Sequence, residues 1–309
     1  MPQRPGKDSL RDASLFQVIS KFDLLKNKKK AKRLGQNFLT HPRILDSIVK
    51  AAGPLDSCVV VEIGPGPGGL TRAILEAQPR HLFALEKDEA CVAALQDLVQ
   101  RHEGLLTVRC EDAVDYDWEQ SLSAWGARFG TFDAPSPIKI IANLPYNVGT
   151  FIFLKWLPHL SKIDSLVLMF QKEVADRILA QPNTPAYGRL SILSQYLTKI
   201  EKVMTLAPGA FTPAPKVSST VLRFVPRKEA KGNLLFQLSR VTQVAFQNRR
   251  KMIRKSLGNL GSDALGLEIL KTLGLDEQRR PETLSVEDFV SFAQHWGLSS
   301  NTHGGTNGL

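Results

Sequence analysis

Cys58 to Leu70 reads CVVVEIGPGPGGL, a short apolar run that breaks into four glycines and two prolines within six residues. Val59, Val60, Val61 and Ile63 are β-branched, which suits a pleated strand and restricts side-chain freedom in a helix. An unbroken apolar run of this length fits a parallel strand covered on both faces. Gly64, Gly66, Gly68 and Gly69 then permit positive φ and let a ligand approach main-chain N–H groups that a Cβ would block. Leu70–Ala77 is predicted as a helix. Strand, glycine turn and helix in that order form the first unit of a nucleotide-binding α/β fold, with the ligand at the carboxyl end of the strand. The G-x-G-x-x-G spacing is met only with Gly69 as third glycine, so the turn by itself also fits a structural strand-to-helix connection.

Outward from this stretch, Glu86 ends the next apolar run, HLFALE, about 20 residues beyond the glycines, where an acid can accept from both hydroxyls of a ribose. Apolar runs at 105–109, 139–142 and 165–170 alternate with helical segments, the rhythm of a doubly wound parallel sheet. Asp112, in Cys110-Glu-Asp-Ala, falls at the same sheet edge, where a carboxylate can accept from the exocyclic amine of an adenine; as a bare turn residue it would instead cap a helix. Upstream, 42–52 is predicted as a helix. Residues 121–137, with Gly126, Gly130, Pro135 and Pro137, read as a variable loop.

The most specific signal is IIANLPYN, which sets Asn143, Leu144, Pro145 and Tyr146 at the end of the fourth strand. A primary amine such as adenine N6 is a poor nucleophile because its lone pair is delocalised into the ring. The Asn143 side-chain oxygen and a backbone carbonyl fixed by Pro145 can grip both N–H groups and turn the lone pair towards an electrophile. Tyr146 can stack on the base, and Phe211, in AFTPAPK, can close the other face. No Brønsted base is needed while the amine attacks a positively charged sulfonium.

The chain of 309 residues is 43% hydrophobic and carries a formal charge of +10. No apolar stretch approaches the 18 to 20 residues of a membrane span. Residues 1–33 hold a net +7 and residues 227–259 a net +8, which leaves the remainder at −5. Two basic regions around a mildly acidic body point to a polyanionic partner. In the first lie Lys28, Lys29, Lys30, Lys32 and Arg33, after a short helix expected at 14–25; in the second lie Arg249, Arg250, Lys251, Arg254 and Lys255. The second group is expected at the end of the helix that carries Leu234, Leu238, Val241, Ala245 and Met252 at helical spacing. Residues 203–206 and 217–225 read as a last antiparallel pair, with a boundary at 226–232. Cys58, Cys91 and Cys110 suggest neither a disulfide framework nor a zinc site, and no metal is expected; a reducing cytoplasm is the expected location.

From about Lys32 to Leu298 the chain resembles the small-subunit (16S) rRNA adenine N6-dimethyltransferases, the KsgA family. The resemblance is carried by LGQNFL, VEIGPGPGGLT, ALEKD, CEDA, ANLPYN, FQKEVADRI with AYGRLS, AFTPAPKV and AFQNRRKMIRKSLGNL. It implies an α/β, Rossmann-like S-adenosylmethionine methyltransferase sheet (34–226) with a smaller all-helical C-terminal domain (227–298); the residues themselves add a basic arm at 1–33 and a tail at 299–309 expected to be disordered. It also implies dimethylation of two adjacent adenosines in a hairpin near the 3′ end of small-subunit rRNA, by a monomer acting on an assembling 30S-type subunit. Position by position, Asn37, Leu39, Gly64, Gly66, Glu86, Asp112 and Asn143 match cofactor contacts, and Asn143, Leu144, Pro145, Tyr146 and Phe211 the target-base motif. Two other readings stand beside it. A nicotinamide oxidoreductase would use the same glycine turn but leaves NLPY and the basic regions without a role; a ribosome-assembly or transcription factor would keep the fold without catalysis.

Overall fold

The computed structural model describes residues 37–130, 135–228, 234–260 and 264–303, with Ser20 and Ala230 besides. The basic arm Lys28–Arg33 and nearly all of the helix expected at 14–25 lie outside these residues. In chain order the elements begin with β1 (Phe38–Leu39), α1 (Pro42–Ala51), β2 (Val59–Ile63), α2 (Gly69–Glu76), β3 (His81–Glu86), α3 (Glu89–Arg101) and β4 (Leu106–Cys110). They continue with α4 (Trp118–Phe129), β5 (Ile138–Asn143), α5 (Gly149–Trp156), β6 (Ser165–Gln171), α6 (Lys172–Leu179) and α7 (Arg189–Leu197). The remainder are β7 (Thr198–Leu206), β8 (Phe211–Thr212), β9 (Ser219–Pro226), α8 (Leu235–Gln247), α9 (Leu265–Thr272) and α10 (Val286–His303).

The main sheet has seven strands in the order β4-β3-β2-β5-β6-β9-β7, and β1 pairs with β8 separately. Strands β2 to β6 are parallel neighbours, and β9 runs antiparallel to β6. From β2 the chain moves outward through β3 and β4, then returns to β5 on the other side of β2. That reversal opens a crevice beyond the carboxyl ends of β2 and β5, where open α/β sheets bind ligands. Register brings Ile63 beside both Leu85 and Ala142, and Glu86 beside Cys110, so the functional candidates share one edge.

All five residues of β2 are buried, as its apolar run requires. Val60, Leu82, Ala84, Ile141 and Val167 share one face with α1 and α2. On the opposite face Phe83 stacks on Trp125 at 4.3 Å between centroids. At the far edge of the sheet, the buried Lys139 donates to the carbonyls of Ala52 (2.7 Å) and Pro54 (2.9 Å), which satisfies the end of α1. No described helix is long and apolar enough to cross a membrane.

Four expectations are corrected. Residues 121–129 of the expected loop at 121–137 belong instead to the helix α4: Asp117 caps it by accepting from Gln120 N–H at 3.0 Å, and its buried Trp118, Leu122 and Trp125 outweigh the helix-weakening Gly126. Helix α8 stops at Gln247, so Arg249–Lys255 follow it in a turn and a 3₁₀ segment, with Met252 exposed. The Arg249 guanidinium, which donates to the carbonyls of Pro185 and Thr184, holds the chain out of helical register there. The helix α10 runs on to His303 into the expected tail, because a helix already nucleated on a buried face extends at little cost; residues 304–309 lie outside the described set. Finally, the chain divides into two compact units, one of residues up to Lys172 with Glu201–Val225, the other of Glu173–Ile200 with residues from Pro226 onward. The amphipathic α6 and the largely buried α7, which packs on α8 and α10, belong to the second unit, so the division is not a single boundary at 226.

Within that second unit, α9 approaches a 3₁₀ turn backbone to backbone: a Cβ on Gly266 would lie 2.0 Å from the Leu257 carbonyl oxygen. Gly266→Ala should therefore destabilise by at least about 2 kcal/mol, towards the upper part of the overpacking range, and lower the urea midpoint. A parent-like midpoint would show that α9 can withdraw without loss.

Candidate functional site

The strand ends border an open cleft in the first unit, about 750 Å³ with its solvent-filled mouth included. One wall is the glycine turn, where Gly64, Gly66 and Gly68 take φ of +66°, +55° and +87°. At Gly66 a Cβ would sit 2.9 Å from Cε1 of Phe38, so glycine is required both for backbone angle and for the aromatic ring laid on the turn. Arg72, one turn into α2, donates through Nη1 to the carbonyls of Pro67 and Gly68, both at 2.9 Å. The turn is thus held from inside its own helix.

Glu86 spans the gap between turn and strand. Its Oε2 accepts from Gly66 N–H at 3.0 Å and its Oε1 from Asp88 N–H at 2.9 Å. Burial raises its pKa, and these two N–H groups oppose the shift. A carboxylate offers about four acceptor positions, so two backbone bonds leave capacity for the hydroxyls of a ribose. Asp112 accepts from Val114 N–H through Oδ1 (2.9 Å) and from Lys87 Nζ through Oδ2 (3.0 Å). Burial pushes its pKa up, but the Val114 N–H and the Lys87 ammonium outweigh this and leave it lowered, hence ionised at neutral pH.

At the end of β5, Asn143 Nδ2 donates to the Asn37 carbonyl at 3.1 Å, which leaves Oδ1 as the acceptor of that side chain. The carbonyl of Pro145 is occupied by the N–H groups of Val148 and Gly149 at the start of α5. Tyr146 hydrogen-bonds through its hydroxyl to the buried Ser219 of β9, which fixes the ring, and burial raises its pKa. Leu144 is on the cleft wall but 1% exposed.

The cleft therefore brings together Asn37, Gly64, Gly66, Glu86, Asp112, Asn143, Leu144, Pro145 and Tyr146. It does not bring in Phe211 or Leu39: these face each other across β1 and β8, are 4% and 5% exposed, and pack into the core. Leu39 instead borders a smaller adjoining hollow of about 350 Å³. The sequence reading missed Phe38, Lys87, Ala113, Val148 and Ile152 on the cleft wall. Phe38, Lys87 and Ala113 each follow a predicted site residue by one position, and that adjacency was the available signal. In the second unit, Arg250, Lys251, Arg254 and Lys255 are exposed, whereas Arg249 is tied to backbone carbonyls. The arm cations Lys28, Lys29, Lys30, Lys32 and Arg33 lie outside the described residues.

Glu62 was singled out by no sequence argument. It sits in the middle of β2, 1% exposed, borders the smaller hollow, and its Oε2 has no partner among the described residues. Burial above all, with a contribution from Glu86, pushes its pKa up to about 8.

The chain matches the Ribosomal RNA adenine dimethylase family over residues 27–296. It is 44% identical over 265 residues to the Ribosomal RNA small subunit methyltransferase A of Mesorhizobium japonicum, covering 84% of this chain and 90% of that protein. A dimethyladenosine transferase from Plasmodium falciparum shares its fold with a TM-score of 0.70 at 23% identity, over 85% of this chain and 98% of that one. The 23S rRNA methyltransferase ErmE does so with a TM-score of 0.61 at 21% identity, over 84% and 100%.

The Glu62 carboxyl makes a measurable demand on stability. Its folded pKa of about 8 lies above the ordinary value of 4.5, so between those pH values the folded state binds the extra proton. Stability contributed by neutral Glu62 is present below about 4.5 and is lost as pH rises through about 8, with a limiting slope of about 1.4 kcal/mol per pH unit. Glu62→Gln should flatten urea-derived stability against pH across that window and stabilise the protein at its alkaline end. Equal slopes for parent and variant would mean that Glu62 is ionised and solvated.

Proposed function

The chain belongs to the ribosomal RNA adenine dimethylase family, and on that premise we propose how its own residues divide the work of methylating adenine in small-subunit rRNA. The observation that carries the assignment is the pairing of Asn143 Nδ2 with the Asn37 carbonyl, which presents Asn143 Oδ1 as an acceptor beside the glycine turn. The substrate is taken to be two adjacent adenosines in a hairpin near the 3′ end, each receiving two methyl groups, within an assembling subunit. The protein is taken to act as a cytoplasmic monomer.

The residues present fit S-adenosylmethionine. Gly64 and Gly66 give the turn its positive φ angles and leave its backbone approachable, Glu86 retains acceptor capacity for ribose hydroxyls, and the ionised Asp112 suits an adenine amine. Asn37 adds a polar wall, and Leu39 would contribute from the adjoining hollow. When bound, this cofactor supplies a methyl group made electrophilic by a sulfonium. Asn143 Oδ1 and the Leu144 carbonyl accept the two N–H groups of the target amine, which withdraws them from conjugation and directs the nitrogen lone pair. Pro145 fixes that carbonyl, since its own is consumed in starting α5. Tyr146 stacks on the base. Phe211 is too deeply packed to form the opposite face as it stands, so its part is to support β1 and hence Asn37.

Asn143→Ala should reduce single-turnover methyl transfer from labelled S-adenosylmethionine to unmethylated small subunits by at least about a hundredfold, while much of the subunit affinity remains, because the lost interaction matters most as the amine attacks. Near-parent transfer in this variant would remove Asn143 from the mechanism.

RNA backbone is held by the basic cluster of the second unit and by the arm at 28–33. The backbone N–H groups of Ile253 and Arg254 are pinned to the carbonyls of Arg279 and Glu277, so the exposed cations beside them are presented from an ordered segment. Each phosphate contact releases condensed counterions, so affinity falls steeply with salt. Replacing Arg250 and Arg254 by Ala should flatten the slope of log affinity against log salt by roughly one to two units and leave cofactor affinity unchanged. A parent-like slope would assign the contacts to the arm instead.

A further inference from the structure

Helix α5 leaves the target-base motif carrying an aromatic ring that the cleft does not use. Val148, at its N-cap, and Ile152 line the cleft, whereas Phe151, between them in sequence, does not. Phe151 is 51% exposed, while Ile152, Phe153 and Trp156 of the same helix are at most 1% exposed. The spacing of three from Val148 to Phe151 and four from Phe151 to Lys155 puts these side chains along one face of the helix. Lys155 holds its ammonium 5.2 Å from the centre of the Phe151 ring and also donates to the Val114 carbonyl. Val114 in turn binds Asp112 through its N–H, so ring and ammonium are anchored at the cleft rim between the loops after β4 and β5.

We propose that Phe151 is a stacking platform for the nucleobase next to the adenine being methylated, with Lys155 beside it facing the adjoining phosphate. The proposal rests on the rRNA methyltransferase reading and deepens it, since it assigns a residue that holds the base flanking the target. A half-exposed aromatic side chain with a cation over one face offers single-stranded nucleic acid what it requires, a second face for a base and a charge for a phosphate: every base has a π-face, and every nucleotide carries one negative charge. The position suits a neighbouring base rather than the cofactor, because the ring lies on the rim and outside the cleft lining. It also suits a base rather than a protein partner, because among the described residues Phe151 is the one large exposed apolar side chain of its helix and has a lysine against it rather than a broad apolar face.

The test uses the full chain with Phe151→Ala, Phe151→Leu and Phe151→Trp, all at an exposed position. Affinity for unmethylated small subunits is read by filter binding, S-adenosylmethionine affinity by calorimetry, and kcat/KM at saturating cofactor. The Ala and Leu variants should lose roughly tenfold in subunit affinity and kcat/KM, within the range for removing one base–aromatic stack, and the Trp variant should stay within about twofold of the parent. Cofactor affinity should be unchanged in all three. A Leu variant that binds subunits as the parent does would overturn the proposal, because an apolar contact without a π-face would then suffice. A fall in cofactor affinity in the Ala variant would overturn it too, by assigning the ring to the cofactor. Binding is measured without turnover, so a parent that binds subunits but never methylates them would overturn the methyltransferase reading, while the ratio of Leu variant to parent still decides the stacking.

Discussion

The Glu86 carboxylate, bonded to Gly66 N–H on one side and to Asp88 N–H on the other, is the joint on which the site depends. A second tie between the glycine turn and β3 runs from Gly64 N–H to the Leu85 carbonyl. Burial makes the charge costly, and the two main-chain donors offset much of that cost. The bonded turn then supports the ring of Phe38, Phe38 starts β1, and β1 presents the Asn37 carbonyl that orients Asn143. A chain of short contacts thus links the buried carboxylate at the end of β3 to the side-chain amide at the end of β5.

The same economy appears at each strand end. A polar side chain there first satisfies a neighbouring backbone group and keeps a remaining lone pair for a ligand. Asp112 does this with Val114, and Asn143 with Asn37. Groups held in this way reorganise little when charge or hydrogen-bonding demand changes, which is the physical basis of preorganised catalysis. The buried Glu62 departs from the pattern: among the described residues its Oε2 has no partner, and its raised pKa is how the fold accommodates it.

The parts that were legible in the sequence are those whose signal is local. The β-branched run before the glycines, the acid closing HLFALE and the proline fixing Asn143 each announce themselves within a few residues. Strand β8 did not, because two residues pair only when a partner about 170 positions earlier is beside them. Helix α4 was hidden by Gly126 and by the prolines that follow it, which weigh on any local rule more than the buried tryptophans that decide the outcome. Phe211 looked like a stacking residue because aromatic type and a proline-rich flank are readable, whereas its inward direction depends on β1. The basic residues after Gln247 were placed on a helix because helical spacing cannot report where a backbone hydrogen-bond ladder stops.

The division of the chain into interleaved segments bears on how the molecule is made. Helices α6 and α7 emerge from the ribosome roughly fifty residues before the first of the C-terminal helices that cover them, and β7 and β9 must be synthesised in between. During that interval their apolar faces have no permanent cover, the condition in which a nascent chain calls on chaperones. A fragment ending near 226 would carry the same two helices permanently uncovered, so the catalytic sheet cannot be isolated by truncating the chain at its most obvious composition change.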